Sequence, residues 1–194
     1  MKGCRPLSKE EETRVLKSFK GKYAARDRAI FILGTKSGFR ISELLSLKIG
    51  DVMSDRKMLD RAYVSRRNTK RKLEGRSVIL HPEAQKALKA WILQLLKEGP
   101  LDECAFLFRS QKGENKPIGR IQYYRILQAA CKGEKLTGKL GTHTMRKTFA
   151  NKVYDNLDHD LAKTAQALGH KNVNSTVQYL SFRQEDIDEA ILST

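Results

Sequence analysis

Apolar residues recur every three to four positions through most of the chain, the spacing of one helical face, and switch to a period near two over one short stretch. LSKEEETRVLKSF predicts a first helix: Ser8 and Glu11 form an S-x-x-E capping box ahead of an apolar stripe. YAARDRAIFILGTKSG predicts a second, strongly buried helix ending at Gly38, and ISELLSLKIGDV a third that stops near Gly50. RAYVSRR and RSVIL are β-rich runs separated by the polar NTKRKLEG, the pattern of a hairpin with a long basic tip. A short strand near Met58 would make the sheet three-stranded. From Pro82 the helical period returns in PEAQKALKAWILQLLKEG, with proline near the start and glycine just past the end. RIQYYRILQAACKG, HTMRKTFANKVYDN, DLAKTAQALG, a short turn around NSTVQYL and QEDIDEAILS complete the series.

The pattern therefore predicts one mainly α domain with a small antiparallel β-sheet, an α+β fold, after the third helix. We divide it into a short leading segment 1–7, a main domain 8–182 and a tail helix 183–194. Trp91, Tyr123, Tyr124 and Phe149 stand at helical spacing and are expected in the core.

Charge sharpens this picture. The chain has 38 Lys and Arg against 22 Asp and Glu, a net charge of +16 over 194 residues. Residues 1–97 carry 24 basic and 10 acidic groups, and Arg56–Arg76 alone holds nine basic and two acidic ones. An excess well beyond the roughly 2–8 charges that solubility asks for points to a polyanionic partner, a nucleic acid first. Three cysteines, Cys4, Cys104 and Cys131, have no paired spacing, so neither a disulfide framework nor a zinc site is read from them. The amino-terminal stretch is polar, and the longest apolar run, WILQLL, is far too short for a bilayer. A cytoplasmic, nucleoid-associated protein without a membrane contact is the expectation.

Four stretches carry candidate chemistry. SGFRISELLSL sets Arg40 and Glu43 three apart at a helix start, on one face. NTKRKLEGR sets Lys70 and Lys72 on the hairpin tip, among Arg66, Arg67 and Arg71. THTMRKT sets His143 and Arg146 three apart, followed by Lys147, and LGHKNVNSTVQYL sets His170 nine positions ahead of Tyr179. Each alone has an ordinary explanation. Glu43 suits a helix amino terminus, the hairpin lysines suit a plain phosphate-binding patch, His170 after Gly169 suits a helix carboxyl end, and Tyr179 between Val177 and Leu180 suits packing.

Jointly and in this order, from about Arg5 to the end, they resemble the catalytic domain of the tyrosine recombinases, the phage-integrase family. The resemblance implies the fold of that DNA breaking-rejoining domain over 8–182 and a site-specific recombinase that works through a covalent 3′-phosphotyrosyl intermediate. It implies Tyr179 as nucleophile, Arg40, His143, Arg146 and His170 around the phosphate, and Lys70 as general acid. Lys72 stays open for that role, because the segment before the next strand holds one residue more than usual. Glu43 would orient its neighbours, and Arg66, Arg67, Arg71, Lys72 and Lys147 would touch DNA. The chemistry fits these residue types. Guanidiniums fork onto two phosphate oxygens, a phenolate can form a covalent ester, and a lysine among cations can protonate a leaving 5′-oxygen. No cofactor and no metal are required.

Partners implied are double-stranded DNA and further recombinase subunits, a monomer when free and a tetramer on DNA, with the tail either docking onto a neighbour or packing on its own core. Relatives usually carry an amino-terminal clamp domain; 1–7 reads as its linker or as a native start, like the short fimbrial inverting recombinases. Strand relaxation, as in type IB topoisomerases, and a non-catalytic DNA-binding relative are the alternatives.

Overall fold

The structure, a computed structural model, describes residues 3–64, 75–110, 115–180, 188 and 191–193. The chain forms two compact units, Met1–Phe149 and Ala150–Thr194.

In the first unit, α1 (Lys9–Ser18) begins at the expected capping box: the Glu11 N–H donates to Ser8 Oγ at 3.2 Å and the Ser8 N–H to Glu11 Oε2 at 3.0 Å. α2 (Ala24–Ser37) is buried around most of its girth, including Arg26 and Asp27. Those two charges pair at 2.9 Å, and the Arg26 guanidinium lies over the Tyr23 ring at 4.7 Å. Burial pushes the Asp27 carboxyl up, and Arg26 opposes that shift. α2 ends at Gly38, whose φ of 62° is the left-handed conformation that favours glycine.

The third predicted helix is shorter than the pattern suggests. α3 covers only Ile41–Leu45, and a separate 3-10 turn spans Ile49–Asp51. The break has a cause in the backbone hydrogen bonds. Leu107 N donates to Leu47 O at 2.8 Å, Ile49 N to Ala105 O at 3.0 Å and Gly50 N to Glu103 O at 2.9 Å. Pairing with 103–107, a segment the periodicity left unassigned, takes the groups a continuing helix would use.

The expected three-stranded sheet is also replaced, among the described residues, by two hairpins. β1 (Met53–Ser54) pairs with β2 (Lys57–Met58), and β3 (Arg61–Val64) with β4 (Arg76–Ile79), both antiparallel. Asp55 and Arg56, at φ 48° and 61°, turn β1 straight back into β2 through a two-residue turn. The strand near Met58 exists, but this turn gives it β1 as partner. In the second hairpin Val64 faces Arg76 and Ala62 faces Val78 on the inward side, while Arg61, Tyr63, Ser77 and Ile79 are exposed.

α4 (Pro82–Glu98) starts with proline and buries Leu88, Trp91, Ile92 and Leu95 alongside α2. The Trp91 indole donates to Leu107 O at 2.7 Å, which satisfies its buried N–H. α5 (Arg120–Gly133) lies against α1 and buries Tyr123, Leu127 and Cys131. Tyr124, expected in the core, is 44% exposed, because one residue's rotation of about 100° carries it off the stripe of its neighbour. α6 (Thr142–Asn156) begins in this unit, where Met145 packs so closely on α2 that a Cβ at Gly34 would lie 2.9 Å from its Sδ. The continuous core runs from Leu7 to Met145.

The second unit holds the rest of α6, then α7 (Leu161–Leu168) and α8 (Asn174–Val177), which pack on one another. Asp160 caps α7 by accepting from Lys163 N at 2.9 Å, and Gly169 ends it at φ 63°. The predicted tail, with Ile187 and Ala190, lies mostly outside the described residues. No helix among the described residues is long and apolar enough to cross a membrane.

Candidate active site

In the first unit, α2 delivers Gly38 and Phe39, and Arg40 then opens α3. The carboxylate of Glu43, 3% exposed, faces back along that first turn. Its Oε2 accepts from the Arg40 backbone N–H at 2.9 Å and its Oε1 from Arg40 Nη1 at 2.9 Å. A second guanidinium approaches the same group: Arg76 Nη1 lies 3.9 Å from Glu43 Oε2.

Near the start of α6, Arg146 is 1% exposed and donates from Nη1 to the carbonyl of Gly38. The turn that presents Arg40 is thus tied directly to the helix that carries His143 and Arg146. A side chain at Gly38 would run into the Phe149 ring, one turn further along α6. His143 reaches solvent at the start of that helix, yet its pKa is pushed below the ordinary histidine value. Partial burial is the main cause, followed by the positive charges of Arg146, Arg120, Arg40 and Lys147. Its neutral ring is therefore favoured at neutral pH, surrounded by four cations that suit a phosphate.

In the second unit, Gly169 turns the chain so that His170 N donates back to Ala165 O at 2.8 Å. His170 Nδ1 lies 2.9 Å from the hydroxyl of Thr176, a residue with no exposed surface. The His170 ring packs on the Tyr179 ring at 5.2 Å between centroids, tilted by 49°. Tyr179 itself is half-buried; its N–H donates to Thr176 O at 2.8 Å and its carbonyl accepts from Asn151 Nδ2 at 3.1 Å.

These two groups of residues sit on a chain whose positions 5–185 match the model of the phage integrase family. The chain belongs to that family. It is 32% identical over 183 residues to the probable integrase/recombinase YoeC of Bacillus subtilis strain 168, covering 93% of this chain and 91% of YoeC. Among solved structures it superposes on the XerA recombinase with a TM-score of 0.77 at 25% identity, covering 100% of this chain and 64% of XerA. The XerH site-specific recombinase bound to palindromic difH substrate, a post-cleavage complex, gives 0.73 at 26%, covering 96% of this chain and 51% of XerH. The chain thus spans between half and two thirds of those structural neighbours.

For this phage-integrase chain the structure brings Arg40, Glu43, His143 and Arg146 into one electrostatic neighbourhood within the first unit, and His170 and Tyr179 into ring contact within the second. Lys70, Lys72, Arg66, Arg67 and Arg71 lie outside the described residues. Lys147, partly buried, adds its charge to the field at His143.

Sequence reasoning passed over three participants. Arg76 is an arginine at an inward-facing position of RSVIL, where alternation calls for an apolar residue, and that mismatch was its only local signal. Thr176 was visible as a hydroxyl three positions before Tyr179, but only the folded turn brings it to His170. Arg120 acts on His143 from α5, across 23 positions that no local pattern links.

Proposed function

We propose that the chain is a site-specific DNA recombinase that cuts and rejoins strands through a 3′-phosphotyrosyl ester on Tyr179. The observation that carries the reading is the tilted His170–Tyr179 ring pair in one unit of a phage-integrase chain whose other unit holds Arg40 and Arg146 by a buried carboxylate and a backbone carbonyl. As the Tyr179 oxygen bonds to phosphorus, its proton passes to the neutral His143 imidazole or to a phosphate oxygen, the bond from phosphorus to the 5′-oxygen breaks, and that oxygen leaves with a proton from Lys70 or Lys72; the reverse sequence rejoins the strand. Arg40 and Arg146 neutralise the charge that gathers on the non-bridging oxygens, the role that preorganised guanidiniums fill best. With Thr176 holding Nδ1, His170 turns Nε2 toward a phosphate oxygen. His143, favoured in its neutral form, moves a proton at the reacting phosphate. The basic hairpin and Lys147 bind the surrounding backbone, so affinity falls steeply with salt.

We further propose that 8–182 is the catalytic domain, that subunits assemble on double-stranded DNA with the 183–194 tail contributing, and that the protein works in the cytoplasm at the nucleoid. The test is a nicked suicide substrate in EDTA. A covalent protein–DNA adduct that is lost in Tyr179→Phe supports the reading; an adduct that survives the substitution, or none from the wild-type chain on its own target, refutes it. Relaxation of supercoiled DNA without any target preference would make the protein a topoisomerase instead.

A further inference from the structure

Arg76 stands where a hairpin facing a hydrophobic core ordinarily places an apolar side chain. It lies directly opposite Val64, which is 1% exposed, on the inward side of β3–β4. Its guanidinium rests 5.6 Å from the centroid of Phe39, the residue just before Arg40. Only 11% of its side chain is exposed, too little for a surface phosphate contact to explain its place. Its Nη1 faces Glu43 Oε2, while Glu43 Oε1 holds Arg40. Burial pulls its pKa below the ordinary arginine value, the Glu43 charge opposes that shift, and the Arg40 charge adds to it. Two like charges therefore share one buried anion, and each fixes where the other can lie.

We propose that Arg76 is a positioning residue for Arg40, acting through Glu43, and that it locks the base of the β3–β4 hairpin to the turn that presents the phosphate-binding guanidinium. The inference rests on the recombinase reading. Glu43, bonded by the Arg40 backbone N–H on Oε2 and the Arg40 guanidinium on Oε1, has the Arg76 charge 3.9 Å from Oε2 to hold it at that rotation, so the fork of Arg40 is set before DNA arrives. Arg76 also lies six residues after Lys70 and four after Lys72, so the same contact anchors the strand that leads out of the lysine-bearing segment. The packing at that base is tight: a Cβ at Gly75 would run into the Tyr63 ring and lie 2.9 Å from Val64 O.

The test compares full-length wild type, Arg76→Gln, Arg76→Met, Arg76→Lys, Glu43→Gln and the Arg76→Gln/Glu43→Gln double variant. The readouts are the single-turnover rate of adduct formation on a saturating nicked duplex and, separately, the Kd for that duplex. Loss of Arg76 should slow the saturated rate about ten- to a hundredfold, the range of coupling between residues in contact. Kd should change less than about threefold, against the roughly tenfold expected of a lost phosphate contact. Arg76→Lys, which keeps the charge opposite Glu43, should recover part of the rate. In the Glu43→Gln background, Arg76→Gln should add less than about threefold, because the shared anion is already gone. Weaker binding with an unchanged saturated rate, or losses that multiply in the double variant, would overturn the proposal. Arg76→Met keeps the stem against Val64 and Phe39 and decides the same two readouts if the glutamine variant does not fold. A wild-type chain without a Tyr179-dependent adduct would bring down the recombinase reading and this inference with it; a normal wild type beside a fast Arg76→Gln variant would remove this inference alone.

Discussion

Two helices of this protein end in the same way, yet the candidate site residue just beyond each end is held by different means. α2 stops at Gly38 with φ 62° and α7 at Gly169 with φ 63°, and the side chains are Arg40 in one case and His170 in the other. Beyond Gly38 the restraints are ionic and buried: Glu43 holds Arg40, Arg76 joins Glu43, and Arg146 donates to the Gly38 carbonyl. Beyond Gly169 the described contacts of His170 include a threonine hydroxyl on Nδ1 and a tilted aromatic contact with Tyr179. The difference suits the work proposed for each. Groups that must meet a developing negative charge gain from being preorganised in a site withdrawn from water. At His170 a single hydroxyl on Nδ1 orients the ring with the modest strength of one side-chain hydrogen bond, about 1 kcal/mol.

The largest effect expected from breaking this contrast is at the ionic end. Arg146→Ala or Arg40→Ala should lower the saturated rate of adduct formation by about 10²–10³, the cost of removing one charge-stabilising donor. Single-turnover assays read this, and a loss under tenfold for both would contradict the preorganised half-site. Gly38→Ala comes next. It combines left-handed strain with a collision against Phe149 and should cost about 2 kcal/mol or more in urea unfolding; the left-handed strain at Gly169, φ 63°, should by itself make Gly169→Ala cost about 1 kcal/mol. A Gly38→Ala penalty no larger than that strain would mean that the Phe149 ring yields to the added methyl. At the His170 end, Thr176→Val keeps the buried volume and removes the hydroxyl, so the adduct rate should fall only about fivefold. A loss as large as that of Arg146→Ala would show that His170 needs far firmer orientation than one hydroxyl gives.

The smallest effect is a shift in pH dependence. His143 is held below its ordinary value of 6.5, so its neutral form persists into mildly acid solution and is lost only as pH falls through the lowered value. The acid limb of the adduct rate should therefore lie below 6.5. Arg120→Gln removes one of the cations that depress it and should move that limb upward, toward 6.5. A limb that stays in place, or moves down, would separate Arg120 from His143.

Much of this was legible along the chain because it is local. The Ser8–Glu11 box, the proline start of α4 and the glycine ends of α2 and α7 are decided by backbone groups within one turn. So is the Arg40–Glu43 pair, three positions apart on one helical turn. The errors came where distant pairing overrode local period. Segment 103–107 drew Leu47–Gly50 out of the third helix, and the left-handed pair Asp55–Arg56 closed a separate hairpin in place of a third strand. Tyr124 shows the limit of reading stripes by eye, since one step around a helix separates it from fully buried Tyr123.

By itself the sequence determined the helical order, the family and the residues with reactive groups, because period, caps and motif spacing act over a few bonds. Only the tertiary structure decided that Glu43 would stand between Arg40 and Arg76, that Arg146 would grip the end of α2, and that Thr176 would hold His170. Such meetings depend on which strand faces which helix, and a buried charge declares its partner only once the chain around it has closed.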